Sequence, residues 1–205
     1  MRQKKKTRWW YVAIGGILFV FFLILGTCTA GVLSPIPYLH LDPFRGKVID
    51  ADTKQPISGA AVLAVYYKST ASVAGSNSWI VDGQETLTDE YGEFKIPEAR
   101  RWFVSHRGYT EGNLIIFIPA YGSFPKNQRS KAVGENKSWP PPDRYVMYEL
   151  PKLETKEERK DNVIYTRRYN EIAYSKRTNY WKTINEERIN LGLPPNTMTE
   201  MERKR

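Results

Sequence analysis

The chain has 205 residues, one cysteine and a formal net charge of +9. A single cysteine excludes an internal disulfide and a structural zinc site built on several thiolates. The charge comes from the ends, +5 over residues 1–9 and +4 over residues 152–205, while residues 10–151 are neutral. That distribution offers no basic stripe on a folded domain and argues against nucleic acid as a partner.

Arg2, Lys4, Lys5, Lys6 and Arg8 precede an uncharged run from Trp9 to Leu41 whose apolar heart is Trp9 to Leu25. A basic cluster before an apolar segment is the layout of an export signal or membrane anchor, residues 1–33, with the positive end in the cytoplasm. Three readings of this leader stand side by side. Leu25-Gly26-Thr27-Cys28 resembles a bacterial lipobox, with Cys28 as the lipidation candidate and Thr27 where Gly or Ala is usual. Trp9 to Leu33 is 25 uncharged residues, and roughly 20 span a bilayer, so an uncleaved anchor fits too. Cleavage after Ala30 would release the chain. The first two place residues 36–205 outside the cytoplasm, tethered to the cell envelope.

Residues 34–43 hold Pro35, Pro37 and Pro43 and read as an extended tether. The pattern over 44–151 is β. Phe44–Asp50 alternates as a strand, Asp50–Ser58 carries turn residues, and Gly59–Tyr67 forms a longer strand with Ala60, Val62, Ala64 and Tyr66 on one face. Ser69–Ser78 is small and polar, hence a loop. Thr86–Thr88 leads into a turn at Asp89–Gly92, followed by a strand at Glu93–Pro97. Leu114–Pro119 is a central strand, Ser123–Arg144 a long loop, and Tyr145–Leu150 the last strand. Six or seven short strands with turn punctuation predict an antiparallel sandwich. Over 152–205, Thr155 and Glu158 form a capping-box pattern. Tyr165, Tyr169, Ile172, Tyr180, Ile184 and Leu191 then trace an amphipathic helix, broken near Ser175 and stopped at Gly192 before Pro194-Pro195.

Gly46-Lys47-Val48-Ile49-Asp50, Thr53 to Val62 with Pro56 and Gly59, and Thr88-Asp89-Glu90-Tyr91-Gly92-Glu93-Phe94 resemble the carboxypeptidase regulatory-like domain. The resemblance covers about residues 44–150. It implies a mainly β fold, a seven-stranded transthyretin-like (prealbumin-like) sandwich, in a bacterial envelope protein. It carries no catalytic zinc domain, and the quoted residues serve turns and core.

Sequence signatures of catalysis are missing: there is no G-x-S-x-G, H-E-x-x-H, P-loop or G-x-G-x-x-G. His40 and His106 are the only histidines, and Asp50, Asp52, Asp89 and Glu90 read as turn caps rather than a calcium site. No cofactor and no metal is expected. Trp79 and Trp139 lie in polar, loop-like surroundings and are the ligand-binding candidates; buried, they would close the ends of the sandwich. The chain is therefore expected to be a non-enzymatic, membrane-tethered binding or scaffolding module acting on an envelope protein. The alternatives are carbohydrate or cell-wall binding through exposed aromatics and service as an accessory subunit to a separately encoded enzyme.

Overall fold

The computed structural model describes residues 38–72, 75–102, 109–127, 143–164, 166 and 169–198. Within them the chain is mainly β, with eight strands in three sheets, an arrangement consistent with a β-sandwich. The strands are β1 (Tyr38–Leu41), β2 (Phe44–Asp50), β3 (Ala61–Ser72), β4 (Gly75–Leu87), β5 (Glu93–Ile96), β6 (Ala99–Trp102), β7 (Tyr109–Phe117) and β8 (Tyr145–Leu150). One three-stranded sheet runs β5-β2-β8, another β4-β3-β7, and β1 pairs with β6. All pairs are antiparallel except β2 with β8, which is parallel. No helix among the described residues is long and apolar enough to cross a membrane. The leader lies outside the described residues.

The β1–β6 pair continues the β2–β5 ladder. Phe44 faces Ile96 in one, Leu41 faces Ala99 in the other, and the offset never changes. Only Asp42-Pro43 opposite Pro97-Glu98 interrupts it. Proline has no N–H to donate, so two facing prolines erase ladder bonds on both strands at one spot. Tyr66 stabilises the interruption from β3: its hydroxyl donates to the Asp42 carbonyl at 2.7 Å. Burial pushes that phenol's pKa up. Four of the ten residues expected as a tether, Tyr38–Leu41, are thus a paired strand. The backbone groups of residues 38–41 find partners on β6.

The segment Ser69–Ser78, expected as a loop, also departs from the sequence reading. Ser69–Ser72 continues β3 and Gly75–Ser78 belongs to β4, in a long hairpin ribbon. Small polar side chains set no hydrophobic alternation there, yet the ladder already running between the strands carries through.

The interior between the two three-stranded sheets follows the alternation of each strand. Phe44, Val48, Phe94, Ile96, Val146, Tyr148 and Leu150 on one side meet Val62, Ala64, Tyr66, Leu114 and Ile116 on the other, and all are buried. Tyr148 sits at the centre, its ring 5.7 Å from Phe94 and 5.0 Å, edge-on, from Phe124. Phe44 and Tyr66 meet across the sheets at 6.3 Å.

The opposite face of β3 and β7 is buried too. Ala61, Leu63, Val65, Ile115 and Phe117 form an apolar cluster with Val163, Tyr169, Ile172, Tyr180, Ile184 and Leu191. Val163 lies on α1 (Lys156–Ile164), Tyr180 and Ile184 on α2 (Thr178–Asn190), Tyr169 and Ile172 in the chain leading to a 3-10 turn (Tyr174–Lys176), and Leu191 just after α2; together they make a C-terminal helical layer. Thr155 and Glu158 close the expected capping box at α1: the Glu158 N–H donates to Thr155 Oγ1 and the Thr155 N–H to the Glu158 carboxylate. The helix expected through Tyr169 and Ile172 is already interrupted at 169–173, where Tyr169 holds φ 51°, ahead of the 3-10 turn that contains Ser175; α2 ends at Asn190, two residues before Gly192 with φ 75°. At the sheet, Gly83 of β4 lets the layer come close, since a Cβ there would stand 2.6 Å from the Ile172 side chain.

The motif residues of the β region are occupied with backbone work. Asp50 Oδ1 accepts the Asp52 and Thr53 N–H groups, both at 2.8 Å. Asp89 Oδ1 accepts those of Tyr91 and Glu93. Gly59 and Gly92 both hold positive φ, 76° and 74°. They differ in surroundings: a Cβ at Gly59 meets nothing, while one at Gly92 would press on the Val48 carbonyl, which already accepts from Ile57. Gly59→Ala should therefore cost about 1–2 kcal/mol of strain alone, and Gly92→Ala about 3 kcal/mol or more because strain and displacement add. Urea unfolding of the two variants checks this; equal losses would contradict it. The Thr53 N–H above all, opposed by burial, keeps the Asp50 carboxyl below its ordinary 3.8. A group held below its unfolded-state pKa contributes stability that is complete above that value and lost as pH falls through the folded one. Unfolding measured between pH 6 and pH 2 should show this acid loss, shallower in Asp50→Asn.

Candidate functional site: a groove on the helical layer

Three polar side chains, Glu187 and Asn162 buried and Glu85 half-buried, mount the helical layer on the sheet. The first is Glu85 of β4, whose two carboxylate oxygens accept the Asn179 and Tyr180 N–H groups, each at 2.9 Å. First-turn N–H groups have no partner within their own helix, and a carboxylate there also complements the helix dipole. The residue preceding α2, Arg177, supplies no side-chain cap, so the sheet caps the helix instead.

The second is Glu187, 2% exposed, on the inward side of α2. Arg159 of α1 grips it with a two-pronged pair, Nε at 2.7 Å and Nη2 at 2.6 Å. The hydrogen bond to Glu187 holds the Arg159 guanidinium above its ordinary pKa. Glu187 Oε1 also accepts the N–H of Ala120 at 3.2 Å. Ala120 is a non-glycine residue at φ 68°, and its carbonyl accepts from Leu153. A left-handed alanine persists only where its surroundings hold it, and here they do so on both backbone groups.

The third is Asn162 of α1. Its Oδ1 accepts from Ser123 N, Ser123 Oγ and Asn127 Nδ2, and its Nδ2 donates to the Tyr121 carbonyl. Asp82 of β4 adds an ionic tie, pairing with Arg101 of β6 at 3.0 Å and with Lys176 of the 3-10 turn.

On α2 opens a shallow groove of about 450 Å³, lined by Tyr174, Trp181, Lys182, Asn185, Glu186, Ile189 and Asn190. Trp181, Asn185 and Ile189 are spaced by four and share one helix face. Arg177 lies over the Trp181 ring, 5.0 Å from its centroid, and its Nε donates to the Ile172 carbonyl. This stacking fixes the indole, while Ile189 stays 59% exposed. Asn185 holds the following chain: its Oδ1 accepts the Asn196 N–H and its Nδ2 donates to the Asn196 carbonyl. The groove thus has an apolar part on a fixed helix and a polar rim of Lys182, Glu186 and Asn190, the makings of a side-chain receptor. It brings no nucleophile and base together.

Of the residues predicted to bind, Trp79 lies on β4 opposite Lys68 and is 39% exposed. Trp139 and Cys28 lie outside the described residues, so no shared surface for Trp79 and Trp139 is described. His40 stands between Asp42 (3.3 Å) and Glu98 (3.5 Å). Among the described residues no cluster of three metal-type ligands occurs. The sequence reading passed over Trp181 and Ile189, because the apolar stripe through Tyr180 and Ile184 dominates α2. The spacing 181, 185, 189 marked a second face.

Removing one partner of a buried ion pair leaves the other charge uncompensated. Glu187→Ala should therefore destabilise the protein by about 3 kcal/mol, and the Arg159→Ala, Glu187→Ala double variant by less than the sum of the singles; chemical unfolding of the four proteins measures both. No protein-family model matches this chain, and neither a curated protein nor a solved structure shows significant similarity to it.

Proposed function

We propose that this chain is a non-enzymatic binding or scaffolding module of the bacterial cell envelope, anchored through its N-terminal segment, with its folded part outside the cytoplasm. The groove on α2 is its docking surface for an envelope protein. The observation that carries this reading is the pairing of a fixed apolar receptor (Trp181 clamped by Arg177, with Ile189 exposed beside it) with a helical layer bolted to the sheet by Glu85, Glu187 and Asn162. Rigid mounting lowers the ordering cost of binding, and a buried aromatic within a polar rim is the usual composition of an interface centre. The partner's contribution is an apolar side chain seated against Trp181 and Ile189, with polar groups meeting Lys182 and Glu186. The β region is proposed to be a transthyretin-like sandwich of the carboxypeptidase regulatory-like kind, supported by the motif spacing and by the turn roles of Asp50, Gly59, Asp89 and Gly92. On this reading the partner is a protein of the envelope, with service to a separately encoded enzyme as one form of it.

A second reading, recognition of a cell-wall carbohydrate, draws on the exposure of Trp79. A photocrosslinking residue placed at Ile189 in the full chain, in its native envelope, should give a discrete protein adduct that Lys182→Glu weakens. The same probe at Lys95, on β5, should give none. No adduct at Ile189, combined with cell-wall polysaccharide binding that Trp79→Ala abolishes, would replace the protein-docking reading with the carbohydrate one.

A further inference from the structure

We infer that the groove on α2 reads the backbone of an extended peptide segment through Asn185, and that residues 193–198 of this chain are a built-in competitor for that contact. This rests on the reading of the groove as a docking surface and names the chemistry of what docks there. Past Gly192 the chain reverses and runs back along α2. The Leu193 N–H donates to the Arg188 carbonyl at 2.8 Å, Arg188 Nε donates to the Pro194 carbonyl at 2.7 Å, and Asn196 reaches Asn185. Asn185 is one of the residues that line the groove. Its amide takes both polar groups of a single peptide residue: Oδ1 accepts the Asn196 N–H at 2.8 Å, and Nδ2 donates to the Asn196 carbonyl at 3.2 Å.

That two-way exchange is the pairing one strand residue makes with another in an antiparallel ladder. A carboxamide imitates it, because it carries an acceptor beside a donor. The bonds go to the Asn196 backbone, so any extended residue presenting its N–H and C=O together would fit. The strap is therefore a template for the partner, an extended segment whose backbone takes Asn185 while a neighbouring apolar side chain lies against Trp181 and Ile189. It is also built to yield. Pro194 and Pro195 have no N–H to donate, and both are exposed, as is Thr197. Among the described residues, the hydrogen bonds of residues 194–198 are those to Arg188 and Asn185. A few ordinary hydrogen bonds, set against the cost of ordering the segment, hold such a strap closed about nine-tenths of the time. A site open for the remaining tenth loses about tenfold in apparent affinity. Leu193, by contrast, packs against the apolar cluster under α2. Opening therefore begins beyond it and leaves the core intact.

The test uses the purified full chain in detergent and a fluorescent peptide copied from residues 192–198, Gly-Leu-Pro-Pro-Asn-Thr-Met, followed by anisotropy. Asn196→Pro removes the N–H that Asn185 accepts, and this variant should bind the peptide about tenfold more tightly than the unaltered chain. Adding Asn185→Leu or Ile189→Asp should abolish that gain, and so should N-methylation of the peptide's asparagine. Circular dichroism checks that the variants remain folded. In the unaltered chain, saturating peptide should speed hydrogen exchange of the Asn196 amide several-fold. Equal affinity of the unaltered chain and Asn196→Pro overturns the competition, as does exchange at Asn196 that ignores the peptide. Tight binding that survives Asn185→Leu or Ile189→Asp overturns backbone reading at the groove. If no form binds the peptide while the photocrosslinked adduct at Ile189 persists, the peptide reader falls and protein docking stands. If that adduct is missing too, both fall.

Discussion

β3 is hydrogen-bonded along both edges, to β4 and β7, and buried on both faces. From Ala61 to Tyr66 every side chain is fully enclosed. A strand with two apolar faces needs two layers to cover them. The β5-β2-β8 sheet covers Val62, Ala64 and Tyr66. Only the helical layer covers Ala61, Leu63 and Val65. The C-terminal helices therefore complete the core, and without them the sheet would expose a contiguous apolar face to water. Shape dictates the small residues here as well. Two alanines, Ala61 and Ala64, in six positions of β3 let both layers approach closely, and Gly83 does the same on β4.

Burial of apolar area does not fix where a helical layer sits, because sliding a helix along an apolar face changes the area little. The polar side chains fix it. Glu85 meets two specific N–H groups of α2, Glu187 meets one arginine and one backbone N–H, and Asn162 meets four separate atoms. Any shift would strand these groups without partners, at a cost of about 1–3 kcal/mol each. Their contribution is to specificity of placement more than to net stability, since buried ionic groups are costly to desolvate. The consequence for function is direct, because the groove inherits its geometry from the helix that carries it.

What could be read in the sequence and what could not divide along physical lines. Strands with strict alternation and local turn chemistry were legible: Phe44–Asp50, Glu93–Ile96 and Tyr145–Leu150 appear where the pattern puts them, and the turns at Asp50 and Asp89 carry the hydrogen bonds their residue types suggest. The capping box at Thr155 and the stop at Gly192 were legible for the same reason, being local. Non-local pairing was not. Ala99–Trp102 and Tyr38–Leu41 become strands because a ladder begun at Phe44 and Ile96 extends past two prolines. Ser69–Ser72 and Gly75–Ser78 become strands because a hairpin begun at Ala61 and Leu87 runs on. For the candidate site the sequence was a weaker guide. It singled out Trp79 by composition, while Trp181 was hidden: its partner Arg177 is a charged residue buried completely, which residue type alone argues against.

The glycines, aspartates and proline that punctuate the β region are consumed by its architecture. Gly46 stands where β2 and β8 leave no room for a side chain, Pro56 bridges to Ile49, Asp50 and Asp89 satisfy turn N–H groups, and Gly92 fits beneath a carbonyl. None of these atoms is left to engage a ligand. The surfaces with something to offer lie in segments outside that motif: Trp79 on the long hairpin, Trp181 and Ile189 on α2. A fold whose motif residues are all committed to backbone work can change its added segments without losing its core. A motif of this kind consequently says how the chain folds, and the aromatic side chains beyond it say where it can meet something else.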